Sequence, residues 1–161
     1  MGKREEFVKA CQKEVDHNSI YLWGGQGERT KRLSIADIEN METNKTNVER
    51  ILKHLASIYP KGIEESRAFD CSGLVTYHLM KLGVITSDMT ANGIYKMCKA
   101  IKKAELEPGD FVFKVTDGKA VHIAVYKGDG VLIEAVGRDD GVQNTKLTTK
   151  FNKYGRLEKL Q

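Results

Sequence analysis

The chain has 161 residues, 40% of them hydrophobic and 30% charged, with 26 Lys and Arg against 22 Asp and Glu for a net charge of +4. A chain of this length buries one good core and reads as a single soluble domain over residues 1–161. No run approaches the roughly 20 apolar residues of a membrane-spanning helix, and the start, Met1-Gly2-Lys3-Arg4-Glu5-Glu6, lacks the apolar core of a secretory signal. The expectation is no membrane span and no Sec signal of its own. Positive charge favours an anionic partner, and the lack of a basic run, zinc-finger spacing or aromatic–basic interleaving points away from nucleic acid. Cys11, Cys71 and Cys98 are an odd number at wide spacings, which argues against a disulfide framework and a Cys-x-x-Cys metal site.

Phe7, Val8, Cys11 and Val15 recur at helical spacing, so Glu5 to Val15 reads as a helix with Cys11 in the core. Asp16 to Ser19 breaks it and leads into Tyr21-Leu22-Trp23-Gly24-Gly25, an aromatic piece ended by glycines that permit close backbone approach. Ser34, three residues before Asp37, marks a helix start, and Val48, Ile51, Leu52, Leu55 and Tyr59 form a second stripe, with His54 off it and solvated. Asp70 is a good N-cap for a third helix carrying Leu74, Val75, Leu79 and Leu82 inward and closed by Gly83, with Cys71 in its first turn. A further helix is expected from about Ala91 to Lys103, with Cys98 packed. After Pro108-Gly109-Asp110 the period changes to two, in the runs Phe111 to Val115, Val121 to Tyr126 and Val131 to Val136. Helices followed by an antiparallel meander make an α+β domain.

Phe69-Asp70-Cys71-Ser72-Gly73-Leu74 is the strongest local signal for chemistry. A thiol at a helix N-terminus meets unpaired N–H groups and the positive end of the helix dipole, and both favour thiolate. The plain alternative is a small buried hydrophobe. In Val121-His122-Ile123-Ala124-Val125-Tyr126, period-two geometry sends Val121, Ile123 and Val125 to the core and His122 to the other face. A hairpin centred on Gly128 pairs Glu134 directly with His122, so that the carboxylate orients the imidazole. Ala124 and Leu132 then leave a shallow space on that face for the N-terminus of the Cys71 helix. Singly, His122 and Glu134 are more often ordinary strand residues. With Cys71 they make a nucleophile, a base and an orienter for acyl transfer.

The four strings Tyr21 to Gly25, Phe69 to Val75, Leu106-Glu107-Pro108-Gly109-Asp110 and Val121 to Tyr126 resemble, in order, the motifs of the NlpC/P60 family. The resemblance runs from Tyr21 to about Val136. It implies a papain-like cysteine peptidase fold, a helical N-terminal part with the nucleophile at a helix N-terminus packed on an antiparallel sheet, acting on bacterial cell-wall peptides. By that match Cys71 is the nucleophile, His122 the base, and Tyr21 a residue beside the site that assists substrate or oxyanion binding. Ser72 lies next to the nucleophile on the substrate side, with support of the helix start as its other role. Two departures stand out: Glu134 where the family commonly has His, Asn or Gln, and the stretch 26–69, where the family usually has a short connection. That stretch is read as a helical insertion that packs and affects substrate access.

The implied reaction is hydrolysis of an amide bond in peptidoglycan stem peptides, the D-glutamyl to diamino-acid bond first among them, with no cofactor or metal. Such a chain fits a phage or prophage lysin, a tail-associated component, or a catalytic domain of a longer chain. The rival readings are an N-acetylmuramoyl amidase or acyltransferase using the same triad, and a non-catalytic binding module.

Overall fold

The computed structural model describes all 161 residues. Helix α1 (Lys3–Asp16) buries Phe7, Cys11 and Glu14 and ends where Asn18 adopts φ +59°, a left-handed conformation that asparagine tolerates. Strands β1 (Ile20–Tyr21) and β2 (Gln26–Arg29) lead to α2 (Ile35–Met41), which starts with the expected Ser34 and Asp37 capping box. Helix α3 (Lys45–Ile58) is capped by Asn44, and β3 (Arg67–Phe69) runs straight into α4 (Cys71–Lys81). Helix α5 (Ala91–Met97) and the short β4 (Lys99–Ile101) precede the main strands β5 (Phe111–Thr116), β6 (Lys119–Gly128), β7 (Val131–Gly137), β8 (Gly141–Lys146) and β9 (Lys153–Arg156).

The larger sheet is antiparallel throughout, in the order β4-β9-β5-β6-β7-β8, and β2 and β1 flank β3 in a small second sheet. This is the α+β architecture expected. Leu74, Val75 and Leu79 of α4 pack with Phe7 and Cys11 of α1 against Phe111, Ile123, Val125 and Ile133, forming the main core. A second core joins Val48, Ile51 and Ile58 of α3 to Ile20, Leu22, Ile38 and Ala68. At about 1.5–3 kcal/mol per buried apolar side chain, it anchors residues 26–69 to the strand that carries Tyr21.

Several expectations are corrected. The helix from Ala91 ends at Met97 instead of Lys103, because Cys98 turns extended and Lys99–Ile101 pair with β9 as an edge strand. Cys98 is packed as expected, against Gly155. Tyr59 leaves the α3 stripe for a 3₁₀ turn and is exposed, whereas His54 is half-buried against the turn at Gly141 and burial pushes its imidazole pKa down.

The β6–β7 hairpin closes on Asp129-Gly130, both at positive φ, with a bulge at Lys127. Tyr126 therefore pairs with Leu132, and this register sets Glu134 across from Ala124, two residues from His122. A two-residue shift preserves side-chain parity, so Glu134 stays on the His122 face and reaches it diagonally. A second bulge, between the pairs Lys114–His122 and Val115–Ala120, turns Val121 outward, leaving it 55% exposed instead of in the core. The space beside Ala124 and Leu132 is filled by Phe151 and Val112, and α4 packs on the opposite face, against Ile123 and Val125.

Candidate active site

Cys71 is the first residue of α4, and its position is set by contacts on both sides of the cap. Asp70 Oδ1 accepts from the Gly73 N–H at 2.7 Å, and Oδ2 accepts from the Gly24 N–H at 3.1 Å. The Asp70 N–H in turn donates to the Gly25 carbonyl at 3.1 Å. A Cβ on Gly73 would stand 2.0 Å from the Gly25 oxygen, and one on Gly25 would stand 2.8 Å from the Phe69 nitrogen. Only glycine permits this approach, so the paired glycines and the cysteine motif are two halves of one structure.

His122 Nε2 lies 2.6 Å from Glu134 Oε2, and the imidazole stacks on Phe151 with ring centroids 5.8 Å apart. With Nε2 taken, Nδ1 is the nitrogen left for Cys71. Burial disfavours the imidazolium, yet interaction with Cys71 and Glu134 outweighs it and holds His122 at about 9. Glu134 is 2% exposed. Burial would raise its pKa, but hydrogen bonds from His122, Lys150 and Thr145 bring the carboxyl down to about 2. Thr145 Oγ1 donates to Oε1 at 2.7 Å and Lys150 Nζ to Oε2 at 2.8 Å.

Tyr21, on β1, pairs with Phe69 immediately before the Cys71 motif. Burial, and next the neighbouring Cys71, push its phenol up to about 12, so its hydroxyl keeps its proton at neutral pH. The Arg138 guanidinium lies over the Tyr21 ring, 5.2 Å from its centroid, and donates from Nη2 to Glu42 Oε1 at 2.6 Å. Glu42 has a fully buried side chain; burial opposes its charge, but hydrogen bonds led by Arg138 hold its carboxyl below the usual range. The Ser72 hydroxyl donates to Asp70 Oδ1 at 3.3 Å, a contact that supports the helix start. Tyr77 and His78 are likewise away from the thiol: Tyr77 packs under Gly27, and His78 is buried beside Glu14.

The structure thus brings Cys71, His122, Glu134 and Tyr21 into one neighbourhood. Such an arrangement suits nucleophilic attack on a carbonyl, with a proton carried by the imidazole. Sequence reading missed Lys150, Thr145, Phe151, Arg138 and Glu42. No spacing rule links them to the thiol, because each arrives through a turn or a neighbouring strand.

A family model described as "NlpC/P60 family" matches residues 56–159. The chain belongs to the NlpC/P60 family. It is 33% identical over 153 residues to the murein DD-endopeptidase MepH of Escherichia coli, covering 90% of this chain and 55% of MepH. It is 32% identical over 141 residues to the bifunctional muramidase/DL-endopeptidase CwlT of Bacillus subtilis, covering 85% of this chain and 40% of CwlT. The chain therefore spans about half the length of these curated relatives, or less. Among solved structures, RipD of Mycobacterium tuberculosis, described as a non-catalytic NlpC/p60 domain protein adapted to peptidoglycan binding, superposes with a TM-score of 0.65 at 20% identity. That likeness covers 98% of both chains and shows the shared NlpC/P60 fold.

The third motif, Leu106 to Asp110, lies far from the thiol in role. The buried Asp110 carboxylate receives Arg4 Nη2 at 2.7 Å, Arg156 Nε at 2.8 Å and Nη2 at 2.7 Å, and the Glu107 N–H at 2.8 Å. In this NlpC/P60 chain the motif ties α1 to β9 and to the start of β5.

Proposed function

We propose that the chain is a cysteine endopeptidase that hydrolyses an amide bond in peptidoglycan stem peptides. The observation that carries this reading is the thiol at the head of α4, interacting with an imidazole whose far nitrogen is bonded to a buried carboxylate. Cys71 is the nucleophile, His122 the base and Glu134 the orienter, with residues 1–161 working as one catalytic domain. Cys71 Sγ attacks the carbonyl carbon with the proton already on His122. The oxyanion forms beside the Cys71 N–H, which heads α4 without an intrahelical acceptor, and beside the protonated Tyr21 hydroxyl. Collapse breaks the C–N bond while His122 gives the proton to the departing amine. Water, deprotonated by His122, then opens the thioester to the acid product, breaking the C–S bond and releasing Cys71 Sγ with the proton again on His122.

The stretch 26–69 acts through packing: Glu42 holds Arg138 over Tyr21 and so shapes the substrate side. The bond proposed is that between D-glutamate and the diamino acid, the reading in line with a DL-endopeptidase such as CwlT. The broader match to MepH, named a DD-endopeptidase, favours a second reading in which a cross-link is cut instead. Mass spectrometry of purified peptidoglycan incubated with wild type and with Cys71→Ala tests both. Fragments ending at D-glutamate support the first bond, uncoupled cross-bridges support the second, and no release from Gram-positive or Gram-negative wall refutes the hydrolase reading.

A further inference from the structure

Glu134 Oε2 is shared. His122 Nε2 lies 2.6 Å from it and Lys150 Nζ 2.8 Å, while Thr145 occupies Oε1 at 2.7 Å. Lys150 comes from the turn between β8 and β9, and its ammonium lies 4.9 Å from the centroid of the Phe151 ring on which His122 stacks. One oxygen and one aromatic ring therefore position both basic side chains. The titratable and charged groups facing His122 are Cys71 from α4, Glu134 from β7, Lys150 from this turn, and the exposed Lys114 paired with it on β5.

A buried carboxylate with His122 as its sole partner would hold the imidazolium more firmly still. That state serves the departing amine but not the later step, in which neutral His122 must take a proton from water. A second cation on the same oxygen weakens that hold, and it also fixes the plane of the carboxylate, since Thr145 and Lys150 then grip one oxygen each. We infer that Lys150 is a positioning residue of this site, sharing Glu134 Oε2 with His122 so that it fixes the carboxylate and weakens the carboxylate's hold on the imidazole proton. The inference rests on the Cys71, His122 and Glu134 reading given above.

The test is an NMR titration of the His122 ring in substrate-free wild type, Lys150→Met and Lys150→Arg, with the resonance assigned by its loss in His122→Ala. Lys150 is 44% exposed at its side chain, so solvent moderates the effect and the fold tolerates either substitution. In Lys150→Met the midpoint is expected to rise by about half a unit to one unit, and in Lys150→Arg it is expected to stay near wild type. Superimposable titrations, a fall in Lys150→Met, or an equal rise in both variants overturns the inference. A purely structural Lys150 would lower the melting temperature without moving the titration. The readout needs no wall substrate, so inert protein on peptidoglycan with a shifted titration refutes only the hydrolase reading, and hydrolysis with an unmoved titration refutes only the role of Lys150.

Discussion

The Gly25 carbonyl oxygen sits where a Cβ of residue 73 would be, only 2.0 Å from that ideal position. The carbonyl also accepts the Asp70 N–H, so it cannot withdraw without breaking the strand-to-helix junction that presents Cys71. Gly73→Ala is expected to destabilise the fold by at least about 1–3 kcal/mol, although alanine is the better helix former by about 1 kcal/mol. Gly2→Ala, where nothing lies within 4 Å, is the neutral comparison. Urea denaturation of the two variants checks the difference.

Cys71→Ala and His122→Ala are each expected to abolish turnover with little loss of fold. Glu134→Gln keeps an acceptor for the imidazole but loses the charge, and is expected to slow turnover by about 10- to 1000-fold, short of the Cys71→Ala loss. Peptidoglycan release rates for the three variants check this order, and an unchanged rate in Glu134→Gln removes the orienter.

The two shifted groups give the pH dependence a sign. His122 holds its proton more firmly in the folded chain, about 9 against an ordinary 6.5, so its stabilisation is complete below about pH 6.5 and is lost as pH rises through about 9. Glu134 is depressed from 4.5 to about 2, so its stabilisation is present above about pH 4.5 and is lost as pH falls through about 2. Turnover, which needs the imidazolium to protonate the departing amine, is expected to fall as pH rises through about 9. A pH–rate profile alongside urea midpoints at pH 6 and 9.5 checks both signs.

Asp110→Asn leaves Arg4 and Arg156 crowded around a neutral side chain that had received four hydrogen bonds. The expected loss is about 3–5 kcal/mol, the usual result of breaking a buried ion pair by removing one partner. Thermal unfolding checks the loss, and the midpoint of the His122 titration is expected to remain at its wild-type value.

Secondary structure was legible wherever burial has a strong period. The stripes of α1 and α4, that of α3 except for Tyr59, the caps at Ser34 and Asp70 and the strands β5, β6 and β7 appear in place. Strands β8 and β9 were not, because Gly141–Lys146 and Lys153–Arg156 carry mixed polar residues whose pairing is supplied by neighbouring strands. The helix expected to reach Lys103 failed for the same reason: Lys99–Ile101 find a partner in β9 that local propensity does not register.

Residue types and their order determined the family likeness, the cysteine at a helix start, and the pairing of His122 with a carboxylate twelve positions on, because caps, helix dipoles and strand parity act over short stretches of chain. Tertiary structure alone decided the register that makes the His122–Glu134 contact diagonal, the arrival of Lys150 and Thr145 at Glu134, and the Glu42–Arg138 pair over Tyr21. The Glu42–Arg138 pair joins segments 96 residues apart, and the contacts to Glu134 cross from one strand or turn to another. Their geometry follows from two bulges, a two-residue turn and the packing of whole elements, none of which leaves a periodic trace in the sequence.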